Sequence, residues 1–97
     1  MNTHPRQLPI PEPAVNDARA LELLRVWAVG GKQHVSIATN VWHDPAEWGI
    51  MLVDLVKHIA NAYEQTTELT RADALRRLKE GFDVEWKTPT DEPTGNC

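Results

Sequence analysis

Asp54, His58 and Asn61 fall at i, i+4 and i+7, which puts an acid, an imidazole and an amide on one face of a helix. Such a row can orient a general base or offer ligands to a metal. It equally suits the solvated side of an amphipathic helix, since Lys57 and Glu64 stand beside it. His34 and His43 lie upstream and can join His58 in a shared histidine site. A small-ligand pocket would then draw on Trp42, His43, His34, Asp54, His58 and Asn61, with Trp27 beside them. The chain has no His-Glu-x-x-His spacing and no cysteine pair, so no metal site is expected and no cofactor is assigned. Ser36 is the lone serine and has no recognisable nucleophile setting, so no catalytic residue is named. Gly30-Gly31 is too short for a phosphate loop and opens no helix.

The four tryptophans are the most unusual feature. Trp48 and Trp86 fall on apolar helical stripes and are expected in the core. Trp27 falls on the outer face of a hairpin with Leu23 and Val29. There it is covered either by the N-terminal arm or last helix, or by a partner. Tryptophan is enriched at interface hot spots. Trp27, Leu23 and Val29, together with Ile50 and Val53 on the first long helix, are therefore the interface candidates for a homodimer.

The elements that position these residues follow from periodicity. Leu24, Val26 and Ala28 alternate with polar or opposite-facing residues, as do Val35 and Ile37, and Gly30-Gly31 supplies a tight turn. A two-residue loop pairs Val26 with Val35, and a four-residue loop pairs Ala28 with Val35. Either register gives one core face of Leu24, Val26, Ala28, Val35 and Ile37. The stretch from Asp17 to Leu24 can open this hairpin or form a helical turn. Asp44-Pro45-Ala46-Glu47 is a helix start, and the apolar period from Trp48 to Tyr63 carries that helix to about Gln65. Thr70-Arg71-Ala72-Asp73 starts a last helix, with Leu69 as staple, running to about Trp86. Arg76 with Glu80 and Lys79 with Asp83 are i,i+4 pairs in the weaker orientation.

Residues 1–17, with Pro5, Pro9, Pro11 and Pro13, are expected as an extended arm without helix. Leu8 and Ile10 would pack that arm on the body or a partner. Residues 88–97 read as a C-terminal tail, which leaves 18–87 as a single α+β domain. The expected architecture is arm, β-hairpin, then two amphipathic helices packed on the sheet.

Composition narrows the function classes. The chain has 97 residues, 41% hydrophobic and 25% charged, as folded globular chains do. A net charge of −4 argues against a nucleic-acid partner. The acidic run from Glu80 to Glu92 suits a solvated end, or a basic partner. The single cysteine, Cys97, allows no internal disulfide, no segment is long and apolar enough for a membrane span, and a cytoplasmic location is expected.

Trp42-His-Asp-Pro-Ala-Glu-Trp-Gly49 and Phe82-Asp-Val-Glu-Trp-Lys-Thr-Pro-Thr-Asp-Glu-Pro93, preceded by Leu8-Pro-Ile-Pro11, resemble a family of small, mostly alphaproteobacterial proteins described as a domain of unknown function. The resemblance spans roughly residues 8 to 94 and implies no activity, cofactor or catalytic residue. The residues themselves point to a small non-enzymatic, homodimeric protein-interaction module. The alternative is a small-ligand-binding protein or minor enzyme with the Trp/His-lined pocket.

Overall fold

The computed structural model describes residues 3–89. Strands β1 (Leu24–Val29) and β2 (Lys32–Ile37) pair antiparallel, with Val26 opposite Val35 and Trp27 opposite His34. This is the register of the two-residue loop. Gly30 and Gly31 have φ of 56° and 79°, the left-handed values that a tight turn of matching twist requires at both positions. The residues before β1 form a turn, with the Ala20 N–H donating to the Asp17 carbonyl at 3.0 Å, and no helix. One piece of the arm departs from expectation. Glu12–Val15 forms a single helical turn, α1. Pro11 and Pro13 sit where a helix has no internal partner for its N–H groups, so they start the turn instead of preventing it.

The two long helices are α2 (Ala46–Thr66) and α3 (Arg71–Lys87). Asp44 begins α2: its Oδ1 accepts the Ala46 N–H at 3.0 Å and its carbonyl accepts the Glu47 N–H at 3.0 Å. Thr67 ends it by leaving helical geometry, with its hydroxyl donating back to the Tyr63 carbonyl at 2.6 Å. Thr70 caps α3, its Oγ1 accepting the Asp73 N–H at 3.1 Å. The helices cross at Ala60 and Ala74, which are 0% and 3% exposed. Small side chains there let the backbones approach closely, and no other described residue is as deeply buried.

The expected α+β order is observed, but the helices are not packed on the sheet within one chain. Among the described residues, α2 and α3 meet each other, while no Cα of either strand lies within 8 Å of a Cα of a helix. The anticipated hairpin core face is consequently open: Leu24, Val35 and Ile37 are half-buried, and Val26 and Ala28 are exposed. Trp86 is also misplaced by the periodicity. It lies on an apolar stripe of α3, yet no described element covers that end, and it is 77% exposed with its ring stacked on Phe82. Trp48 is half-buried, packed edge-to-face on Trp42 at 5.1 Å, so the two tryptophans bracket the Asp44 cap.

Candidate functional site

α3 breaks up the row of Asp54, His58 and Asn61 by engaging Asn61 alone. The Asn61 Oδ1 accepts the Arg71 Nε–H at 2.7 Å, and the Glu64 carboxylate accepts the Arg71 backbone N–H at 2.8 Å. Asn61 thus ties the end of α2 to the start of α3. Asp54 and His58 are exposed, and neither side chain makes a hydrogen bond or ion pair with a described residue. His34 is half-buried on β2 opposite Trp27, and His43 is exposed before the α2 cap. Among the described residues, no three His, Cys, Asp or Glu side chains gather where a metal ion could be held.

The interface candidates divide into two groups. On the hairpin, Leu23 and Trp27 are half-buried and Val29 is exposed. The ring over Trp27 is that of His4, at 5.0 Å and tilted by 59°. His4 therefore anchors the arm to the outer face, whereas Leu8 and Ile10, the residues expected to do so, are exposed. On α2, Ile50 and Val53 are exposed, as expected for residues off the inward stripe.

Sequence reasoning missed a third set. Leu52, Leu55, Ile59 and Tyr63 belong to the apolar period of α2 without being named as site residues, and they remain exposed while Val56 and Ala60 beside them are covered. Two open grooves accompany the helices. One, between α2 and α3, is lined by Tyr63, Leu69, Ala74, Arg77 and Leu78. The other is lined by Phe82, Asp83, Trp86 and Lys87. Neither is lined by a residue of the histidine pocket. Leu69 and Ala74 share the first groove as the N′ and N4 positions of α3, the staple arrangement.

The whole chain exposes 8677 Å². A folded monomer of this mass exposes about 5,600 Å². Among the described residues much of the open surface is apolar: Val26, Val29, Ile50, Val53, Phe82 and Trp86 are each more than half exposed.

Residues 7–90 match a family described as a domain of unknown function (DUF5076). Among solved structures, a protein from the photosynthetic bacterium Rhodopseudomonas palustrus CGA009, described as "a putative pyruvate dehydrogenase", is 33% identical to this chain with a TM-score of 0.74. That similarity covers 99% of this chain and 98% of the other. A search of curated proteins finds no match.

Proposed function

We propose that this chain, which belongs to the DUF5076 family, is a non-enzymatic interaction module that works as a homodimer. The observation that carries this reading is the surface left open. Among the described residues, large apolar side chains stay open on the hairpin, on α2 and at the end of α3, the kind of surface that obligate homodimers bury between copies. Among the described residues only Ala60 and Ala74 are fully buried, a small core for a chain of this length to stand on alone. The relative's pyruvate dehydrogenase description is not carried over as an activity.

Sedimentation velocity across a concentration series tests the reading. A dimer mass at tens of micromolar is expected, with thermal unfolding that shifts upward as concentration rises, since mass action stabilises the associated state. A monomer with a concentration-independent melting temperature overturns it.

A further inference from the structure

We infer that the two copies meet through α2, paired antiparallel about a two-fold axis near Lys57 and His58, so that Leu55 of each chain faces Ile59 of the other. This rests on the homodimer reading and names its surface.

Three observations select that face over the others. The first is charge. From Trp48 to Thr66, the half of the α2 cylinder centred on Leu52, Leu55, Ile59 and Tyr63 carries no charged residue. Asp54, Lys57, His58 and Glu64 all project from the opposite half. Ile50 and Val53 have Asp54 and Lys57 as helical neighbours, and Phe82 and Trp86 alternate with Asp83, Glu85 and Lys87. Interface centres are depleted in charge. The rule is stricter close to a two-fold axis, where a charged residue meets its own copy.

The second observation is symmetry. An isologous contact requires that residue i meet j while j meets i. Leu55 with Ile59 centres on position 57, and Leu52 with Tyr63 centres between 57 and 58. The two pairs therefore share one axis, and the row reads nearly the same in both directions. It spans about 16 Å of helix, roughly three turns.

The third is continuity. Tyr63 belongs both to the row and to the groove with Leu69, Ala74, Arg77 and Leu78, so the row is one wall of an apolar trough along the helix pair. The partner's α2 fits that trough, making a four-helix bundle from two helical hairpins. The row itself is 37–45% exposed in the single chain, the remaining exposure that such a neighbour would remove.

A charge-swap experiment on the full chain tests the pairing. Leu55→Glu and Ile59→Lys each place two charges against apolar residues in a homodimer. Each is expected to weaken self-association by about 100-fold or more. Mixed one to one, they form a heterodimer with one Glu–Lys pair and one native Leu–Ile pair, and dimer mass should return. Recovery on mixing shows that both variants fold when given the complementary partner, and helical circular dichroism of each alone shows whether the monomer folds without one.

The outcomes separate the inference from the reading beneath it. If the wild type is dimeric and both variants dimerise as tightly, the dimer stands and the α2 pairing is overturned. If both variants retain helical circular dichroism and become monomers, but mixing restores nothing, the Leu55–Ile59 register is overturned. A monomeric wild type overturns the homodimer itself.

Discussion

The end of the molecule where α2 turns into α3 and the end that carries the hairpin are built by different means. At the first, backbone, side chains and burial converge within fifteen residues. Ala60 and Ala74 close the helix contact, Thr67 and Thr70 satisfy helix ends, and Arg71 binds Asn61 and Glu64 across the turn. The hairpin draws on the ladder, the glycine turn, the Arg25–Glu22 pair at 2.8 Å and a ring contact from His4. Its hydrogen bonds fix its shape, but they contribute little net stability because water competes for the same groups. Burial supplies the rest, and an isolated two-stranded ribbon is marginal without it. Local sequence can thus specify an element that only another surface can stabilise.

The sharpest way to break that contrast is to overfill the helix crossing. Ala74→Leu places three extra carbons where the backbone is 97% shielded, and should cost about 2–3 kcal/mol through forced separation of the helices. Urea unfolding followed by helical circular dichroism measures it. A cost below about 0.5 kcal/mol would mean that the crossing is not close-packed.

At the other end, Gly31→Ala puts a Cβ on a residue at φ 79°, with open space around it, so the expected cost of about 1 kcal/mol is conformational. Amide exchange should quicken about fivefold across β1 and β2 and stay unchanged in α2 and α3. Faster exchange in the helices as well would show that the two ends unfold together, and would remove the contrast. Thr70→Ala should cost about 1 kcal/mol, confined to the first turn of α3, because the Asp73 N–H loses its acceptor. Proton exchange at Asp73 reports it directly.

How much of this was legible beforehand follows the same division. The Gly30-Gly31 turn, the Thr70 cap and the two helix periods are properties of adjacent residues and are legible in the sequence, whereas the sequence allows both the Val26–Val35 and the Ala28–Val35 register, and the structure takes the first. Periodicity identifies an apolar face but not what covers it. That is why Trp86, expected in the core from its place on the α3 stripe, stands 77% exposed. Asn61 was grouped with Asp54 and His58 because spacing along one helix is visible in sequence. Its partner Arg71 is ten residues away around a turn whose geometry is not. The α1 turn was missed for a different reason: prolines were counted as breakers without asking whether they stood at the start of a helix.

The smallest effect tests the solvated side of α3. Lys79 bonds Asp83 at 2.7 Å, with side chains 72% and 46% exposed. An exposed i,i+4 pair is worth about 0.3–0.5 kcal/mol, less in this orientation, and salt screens it. Asp83 also lies near the C-terminal end of α3, where the helix dipole disfavours an acid by a similar amount. The two terms oppose each other for Asp83 and not for Lys79, which sits at the middle of α3 and is out of reach of the dipole. Lys79→Ala should therefore destabilise by a few tenths of a kcal/mol, whereas Asp83→Ala should be neutral or slightly stabilising, aided by alanine's helix propensity. Paired melts at low salt and in about 1 M NaCl decide this, because screening should remove the difference between the variants. A loss from Asp83→Ala that persists in high salt would mean that this face is not simply solvated, and that its carboxylate has a partner beyond Lys79.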